Sequence, residues 1–385
     1  MTYGELDEPY KGRLVADFNA FNYPHPKRPE FLHIGHTSVL VDPKKKPKGC
    51  IFLVPGLTAD SDYYFMMMKA IAAAGYDVHV VDLIGQGRSP YFGKNGSRII
   101  PGTPIDYHTS YVRQFIDEVL KKYPERYKGK EINLAGHSLG GLICMYMLYQ
   151  NYLEDKDKGH SNNAHKPVGK GTLSKKFNKI YFLNAFFNMY NYWSKYFLMS
   201  PQLLDFMPIN RILYGYDHII RPGNTRYIKE ALSGAEDAVP FQRWLNRTTP
   251  YEMSVLSYAV AAQSPFRNDE GFMEWLGDRT KLHFIIAEQD DLVCNHAIGE
   301  ISKKIADSCV VSYDGIHGGA YSPKPEEVLF HALVLAGLHD NEPHADVSKE
   351  IMMHKILSTR DALMNAYRET LNCNQGHHRL AYANG

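Results

Sequence analysis

Short apolar segments alternate along the chain with stretches in which apolar residues recur at helical spacing. The apolar segments lie at 50–54, 77–82, 131–135, 179–184, 281–287 and 309–313. Because nearly every position in them is apolar, we expect strands that are buried on both faces. The helical spacing between them, as in Tyr107–Lys122, then predicts an α/β fold with a mostly parallel central sheet flanked by helices.

The regular alternation breaks down in two places. Residues 1–30 carry no clear strand or helix signal, and the segments 31–34 and 38–41 after them are predicted to pair as a hairpin. The polar, Gly- and Lys-rich stretch 154–178 is predicted to be a long surface loop. We expect its histidines to be solvated loop residues rather than metal ligands.

The longest gap between predicted strands, residues 185–279, is predicted to be a mainly helical cap inserted between strands 6 and 7. Its aromatic and Met residues can form the insertion's own core or line a groove for an apolar substrate. The candidate substrate-binding residues at its start are Phe186, Phe187 and Tyr190.

The chain is thus expected to have three parts. Residues 1–184 and 280–340 form the core, 185–279 the cap, and 341–385 a C-terminal helical extension. The extension has helical spacing from Val347 to Leu371, and it could pack on the body, bind a partner or touch a membrane.

The strongest chemical signal lies at residues 131–141. An apolar strand ends at Gly136-His137-Ser138-Leu139-Gly140, which fits the pattern G-x-S-x-G, and an apolar helix follows. In this context the motif describes a sharp turn that lifts a serine hydroxyl clear of the sheet, where flanking side chains would clash. An ordinary Gly-rich turn is the alternative, but the strand and helix around it favour Ser138 as a nucleophile.

A serine nucleophile needs a base to take its proton, and the base needs an acid to orient it. His317 follows the last predicted strand between glycines, and Asp290 follows the strand before it. Because the carboxyl ends of parallel strands meet at one edge of the sheet, we expect Ser138, Asp290 and His317 to converge there.

The other candidates for base and acid are weaker. His283 lies inside a predicted strand and His296 begins a predicted helix, so packing and capping roles are expected for them. Glu288 and Asp291 compete with Asp290, which is favoured by its register relative to the strand. Asn184 also ends a strand, but it is not a carboxylate.

An oxyanion intermediate needs two N–H donors. Leu139, the residue after the nucleophile, is expected to supply one, and the loop Pro55-Gly56-Leu57 after an early buried strand the other. Within that loop we expect the donor to be the Leu57 N–H. A tight turn into a helix also explains the Pro-Gly pair, and both roles can hold together.

Composition narrows the partners and the compartment. The 385 residues carry a formal net charge of +1, which gives no electrostatic signal for nucleic acid. The five cysteines are scattered without metal-site spacing, so we expect free thiols and no metal. A polar N-terminus and the lack of a run of about 18 apolar residues predict no secretory signal and no membrane span, hence a cytoplasmic location. The sequence leaves the oligomeric state open.

Taken together, these residues resemble the α/β-hydrolase superfamily, and most of all its monoacylglycerol lipase, lysophospholipase and serine-aminopeptidase-like group. The matching pieces, within roughly 50–185 and 280–338, are Val54–Leu57, Val80–Ser89, Gly136–Gly141, Ala287–Asp290 and Gly315–Gly318. Two positions depart from the usual pattern. Pro55-Gly56 stands where relatives usually have His-Gly, and Gln86 stands where they usually have His.

The resemblance implies a function as well as a fold. It implies a serine hydrolase that cleaves carboxylic esters, lipid-like ones such as monoacylglycerols or lysophospholipids, with no cofactor. An acyltransferase or thioesterase with the same triad is the alternative. A non-catalytic binding protein on a hydrolase scaffold is disfavoured, because it would be expected to lack a member of the triad.

Overall fold

Nine strands form one sheet in the part of the chain that the computed structural model describes. That part comprises residues 14–17, 20–24, 31–42, 44–57, 59–83, 89, 104–160, 177–187, 266, 269–277, 281–290, 293–322, 324–338, 347–362 and 365. The strands are β1 (Leu14–Asp17), β2 (Ala20–Pro24), β3 (Phe31–Val41), β4 (Gly49–Val54), β5 (Tyr76–Val81), β6 (Glu131–His137), β7 (Lys179–Leu183), β8 (Lys281–Ala287) and β9 (Cys309–Tyr313).

The helices of this part connect or follow the strands. They are α1 (Phe65–Ala73), α2 (Pro104–Lys122), α3 (Pro124–Tyr127), α4 (Leu139–His160), α5 (Glu270–Gly277), α6 (Asn295–Ser302), α7 (Pro325–Leu335) and α8 (347–362). A 3-10 turn, Ser61–Tyr64, leads into α1, and the Asp60 carboxylate caps it by accepting the Asp62 N–H at 3.0 Å.

The strand order is β1-β3-β5-β4-β6-β7-β8-β9, with β2 also paired to β3. Neighbours from β5 to β9 are parallel, whereas β3 is antiparallel to β5, β1 and β2. The predicted mostly parallel sheet is therefore confirmed. Parallel pairing brings the carboxyl ends of β4, β6, β7, β8 and β9 to one edge, where the candidate residues lie.

The core is divided by the sheet into two layers. Along β4, Cys50, Phe52 and Val54 enter one hydrophobic cluster, whereas Ile51 and Leu53 enter the other. Helices α2, α4, α5 and α6 contribute to the first cluster, and α1, α7 and α8 contribute to the second. Both faces are covered by helices, which explains why the strands are apolar at nearly every position.

The predicted hairpin at residues 31–41 is wrong, because β3 is one continuous strand. Its first half pairs with β2, and its second half pairs with β1 on one edge and β5 on the other. The first half thus has a partner on one edge and the second half on both, so an extended backbone satisfies most of its N–H and C=O groups and no turn is needed. Strands β1 and β2 also lie in the region 1–30, which was expected to be irregular.

The structure describes only part of the predicted loop 154–178 and of the insertion 185–279. Helix α4 continues to His160, into the stretch expected to be a loop, and residues 161–176 lie outside the described residues. Of the insertion 185–279, the structure describes its first three residues, Phe266 and residues 269–277. There, Phe272 of α5 packs against Tyr149 of α4, with 5.1 Å between the ring centroids.

Helix α8 packs on the body of the fold. Met352 and Ile356 have no exposed surface and belong to the cluster formed with α1 and α7. Lys355 of the same helix is also buried, and it faces Lys69 of α1. Of the roles considered for this segment, packing on the body is the one that these contacts describe.

Candidate active site

Ser138 occupies the sharp turn between β6 and α4. Its φ of 51° lies in the left-handed region, which costs a residue with a side chain about 1–2 kcal/mol. Two backbone hydrogen bonds of 2.9 Å hold the turn. The Ser138 N–H donates to the Leu183 carbonyl, and the Phe186 N–H donates to the Ser138 carbonyl. The unfavourable angle is therefore maintained by the ends of β6 and β7.

Glycines on both sides of Ser138 allow the turn to pack closely. A Cβ on Gly136 would lie 2.5 Å from the Gly140 carbonyl oxygen. A Cβ on Gly140 would overlap the Val54 carbonyl oxygen and lie 2.6 Å from that of Pro55. Gly136 thus lets the turn close on itself, and Gly140 lets it contact the end of β4 and the loop after it. The sequence predicted that side chains at these two positions would clash.

His317 and Asp290 form a hydrogen-bonded pair at the same edge of the sheet. The His317 Nδ1 lies 2.7 Å from the Asp290 Oδ2, and a carboxylate can only accept, so Nδ1 carries the proton. The Asp290 side chain has no exposed surface and that of His317 has 6%. In a site shielded from water this interaction is stronger than it would be in solvent.

The loops that carry this pair are bonded to each other. The Asp290 Oδ1 accepts the Val293 N–H at 2.9 Å, so both carboxylate oxygens are engaged. The Gln289 N–H donates to the Gly315 carbonyl at 3.0 Å, which joins the loop after β8 to the loop after β9. These backbone bonds set the spacing between the loops that carry Asp290 and His317.

The loop after β4 lies directly against the nucleophile turn. A Cβ on Gly56 would be 3.2 Å from the Ser138 Cβ. The Gly56 N–H donates to the Tyr64 hydroxyl at 3.1 Å, so the next N–H in the loop is that of Leu57, which is half-buried. Leu139 begins α4, and the first four N–H groups of a helix have no acceptor within it.

The competing bases and acids lie elsewhere. The His283 ring stacks on Tyr181, with centroids 4.9 Å apart, and His296 is exposed on α6. Glu288 is exposed and accepts the Ser312 hydroxyl at 2.8 Å. Asp291 lies outside the described residues. Of the competing residues that the structure describes, none lies beside His317 as Asp290 does.

The predicted substrate-binding residues are divided between two settings. Phe186 and Phe187 follow the end of β7 and are buried. Phe187 packs in the core against Phe182, with 5.6 Å between the ring centroids. Tyr190 lies outside the described residues, so a groove lined by these side chains stays a prediction.

Three buried polar residues that were not predicted to have a role surround the site: Tyr64, His137 and Asn184. His137 bonds to the Tyr64 hydroxyl through Nδ1 and to the His317 carbonyl through Nε2, both at 2.9 Å. The Asn184 Nδ2 donates to the same His317 carbonyl at 2.8 Å. A polar residue at the end of an apolar strand was the available signal for His137 and Asn184. Nothing in the sequence distinguished Tyr64.

Burial lowers the pKa of His137 well below its ordinary value, and the neighbouring His317 adds to the effect. The His137 ring is therefore neutral near pH 7. Asn184 is a residue with a side chain at a positive φ of 44°, and its Oδ1 accepts the Ala287 N–H at 2.8 Å. It thus joins the ends of β7 and β8 to the His317 loop.

Within the described ranges, no three His, Cys, Asp or Glu side chains converge in a way that could hold a metal ion. Nor does any helix in those ranges combine the length and the apolar character needed to cross a membrane.

Comparisons with known proteins agree with this architecture. A family model for the alpha/beta hydrolase fold matches residues 49–321. A soluble variant of monoglyceride lipase from Saccharomyces cerevisiae, solved with a substrate analogue, is similar with a TM-score of 0.58. It is 13% identical over 86% of this chain and 97% of that one.

Two further solved structures are similar at the same level. A highly thermostable carboxyl esterase from Bacillus coagulans has a TM-score of 0.55 and 14% identity over 84% of this chain and 97% of its own. A bromoperoxidase from Bacillus anthracis has a TM-score of 0.53 and 14% identity over 83% of this chain and 99% of its own. Identities this low show a shared fold alone. A search of curated protein sequences found no match.

Proposed function

Because the chain belongs to the α/β-hydrolase fold family, which its residues 49–321 match, we propose that it is a serine hydrolase that cleaves carboxylic esters. The observation that carries the proposal is the buried pair of His317 and Asp290, 2.7 Å apart. The His317 ring lies 5.2 Å, centroid to centroid, from His137, which directly precedes Ser138. Ser138, His317 and Asp290 therefore occupy one edge of the sheet, which supports their proposed roles as nucleophile, base and orienting acid.

In the proposed reaction, the Ser138 Oγ attacks the ester carbonyl carbon and the His317 Nε2 takes the hydroxyl proton. Asp290 holds His317 in the tautomer that leaves Nε2 free, and it stabilises the imidazolium that forms. His317 then returns the proton to the leaving alcohol as the ester C–O bond breaks. Water enters by the same steps in reverse and releases the acid from Ser138.

The negative charge on the carbonyl oxygen would be bound by the N–H groups of Leu57 and Leu139. Leu139 is favoured by its place at the start of α4, where N–H groups point toward a developing anion. Leu57 is favoured because the Gly56 N–H is already bonded to Tyr64. Loss of one oxyanion donor typically lowers kcat about 10²–10³-fold.

A lipid-like ester, of the monoacylglycerol or lysophospholipid type, is the substrate class that we propose. It is supported by the aromatic and Met content of 185–279, which we propose forms a cap over the site, and by the similarity to a monoglyceride lipase. The Phe186 N–H bonds to the Ser138 carbonyl, which places the start of that insertion beside the nucleophile.

The proposal is tested by hydrolysis of p-nitrophenyl esters from short to long acyl chains and by labelling with a fluorophosphonate. Ser138→Ala should lower kcat by about 10³-fold or more and abolish the mass increase from the label. Ser302→Ala, at a buried serine of α6, is the matched control and should keep both activities. A Ser138→Ala variant that keeps kcat within about tenfold of wild type would contradict the proposed nucleophile.

The chain-length optimum of the wild-type protein reports the depth of the acyl site, and a preference for long chains supports a lipid-like substrate. An acyl-enzyme on Ser138 could also pass its acyl group to an acceptor other than water, or be formed from a thioester. Product analysis with added glycerol, and a matched thioester substrate, distinguish these alternatives from ester hydrolysis.

A further inference from the structure

His137 connects the two functional loops around Ser138. We propose that it is a positioning residue, which holds the oxyanion loop and the general base in place through a chain of hydrogen bonds. This His137 chain consists of Gly56, Tyr64, His137 and His317. The inference rests on the proposed function, because it assigns His137 a part in positioning that same triad.

The direction of each bond in the His137 chain follows from what each group can donate. The His317 carbonyl can only accept, so the His137 Nε2 carries a proton and donates it at 2.9 Å. A neutral imidazole protonated at Nε2 has a lone pair at Nδ1, which accepts the Tyr64 hydroxyl at 2.9 Å. The Tyr64 oxygen in turn accepts the Gly56 N–H at 3.1 Å.

The tautomer of His137 is therefore set by its two partners. A protonated ring would present donors at both nitrogens, so the Tyr64 hydroxyl would lose the lone pair at Nδ1 to which it donates. Complete burial of His137 favours the neutral form and lowers its pKa. Tyr64 has no exposed surface either, so water does not replace a bond that is lost from the middle of the chain.

Each end of the His137 chain contacts a group that the reaction uses. At one end, engagement of the Gly56 N–H fixes the loop so that the next N–H, that of Leu57, is the free donor beside Ser138. At the other end, the His317 carbonyl accepts from both His137 and Asn184. The backbone of the general base is thus fixed by these donors while Asp290 orients its ring.

The competing explanation is that His137 is a buried core histidine with only a packing role. The chain contains a matched example in His79 of β5, which has no exposed surface. Its Nδ1 bonds to the Ser38 hydroxyl and its Nε2 to the Tyr127 hydroxyl, both at 2.7 Å. The bonds of this second His–Tyr pair lead to Ser38 and, through the Tyr127 hydroxyl, to the Asp77 carboxylate at 2.8 Å, so it supplies controls of the same chemistry.

The test compares His137→Ala, His137→Gln and Tyr64→Phe with the controls His79→Gln and Tyr127→Phe. The kcat and KM for a p-nitrophenyl ester are measured per active site titrated with fluorophosphonate, beside urea unfolding of each variant. His137→Ala should lower kcat about 10²-fold with little change in KM, since a displacement of about 1 Å has that effect. The amide of Gln can replace the Nε2 donor, so His137→Gln should retain kcat within about tenfold of wild type.

Tyr64→Phe should lower kcat about tenfold, the effect of losing one hydrogen bond. Both controls should lower the urea midpoint and leave kcat per titrated site unchanged. The proposal is overturned if His137→Ala behaves as the controls do, losing stability while each titrated site keeps the wild-type kcat. Equal losses in His137→Ala and His137→Gln would also overturn it, because the donor at Nε2 would then be irrelevant.

A spectrum that needs no turnover separates this inference from the proposed function. In protein labelled with ¹⁵N-histidine, the His137 chain predicts an Nε2–H tautomer for His137 and a shifted His317 Nδ1–H resonance in Tyr64→Phe. An unshifted His317 resonance would overturn the chain. A wild-type protein that neither hydrolyses esters nor accepts the label would instead contradict the proposed function, and the spectrum would still decide the chain.

Discussion

Gly140→Ala is a small change that should disturb the nucleophile turn and the oxyanion loop together. The added Cβ would overlap the Val54 carbonyl oxygen and lie 2.6 Å from the Pro55 carbonyl oxygen. Ordinary van der Waals contact begins at 3.4 Å, so the backbone must open by about 0.8 Å at Pro55 alone. Both clashing atoms belong to the backbone, so no side-chain rotation can relieve them.

Two consequences follow from this displacement. Overpacking of a rigid site should lower the free energy of unfolding by about 1–3 kcal/mol. Because Pro55 is two residues from Leu57, a shift approaching 1 Å should also move the proposed oxyanion donor and lower kcat about 10²-fold. We expect a smaller change in KM, since an oxyanion donor acts mainly on the transition state.

The assay is p-nitrophenyl ester hydrolysis per titrated site, with urea unfolding at the same pH. Gly299→Ala is the matched control, because a Cβ there meets no heavy atom within 4 Å and the residue lies inside α6. It should keep kcat and raise the free energy of unfolding by about 0.5–1 kcal/mol. A Gly140→Ala protein with wild-type kcat would refute the inference that this glycine sets the spacing of the two loops.

Two further predictions concern buried ionisable residues, Asp290 and Lys69. Asp290→Asn should lower kcat about 10⁴-fold by favouring the wrong tautomer of His317, and a loss below tenfold in steady-state kinetics would argue against Asp290 as the acid. Burial, with the charge of the nearby Lys355 adding to it, lowers the pKa of Lys69 from 10.5 to about 7. The unfolded chain then binds the extra proton between these pH values, so wild-type stability should rise with pH across that window, by up to about 1.4 kcal/mol per unit. Lys69→Met should be more stable than wild type at pH 7, and its free energy of unfolding should lack this part of the rise with pH. Urea midpoints that change in parallel for the two proteins from pH 7 to 9 would contradict the lowered pKa of Lys69.

The sequence determined the strands of the parallel sheet with little help from tertiary structure. Strands buried on both faces must be apolar at nearly every position, so they are visible as continuous runs. Every residue of β4 and β5 is buried, and the bounds of these strands lie within one residue of the apolar segments 50–54 and 77–82. The sharp turn at Ser138 was equally visible, because its glycines are required by contacts within a few residues of Ser138 and with the end of the neighbouring strand.

Strand pairing at the N-terminal end was decided by tertiary structure. The segments 31–34 and 38–41 carry the pattern of a hairpin, and nothing local distinguishes that arrangement from one long strand. Partners on both edges, supplied by β1, β2 and β5, keep β3 extended. Pairing of this kind depends on which strands become neighbours, and a single segment does not encode that choice.

The sequence could propose Ser138, Asp290 and His317 because each stands at the end of a predicted strand, and parallel pairing carries such ends to one edge. It could not propose the His137 chain. Its bonds join residues that are 73 and 180 positions apart, and no local pattern around Tyr64 or His137 signals these bonds. Periodicity reports which face of an element is buried. The hydrogen-bond partner that a buried polar group finds is fixed only when the elements have packed together.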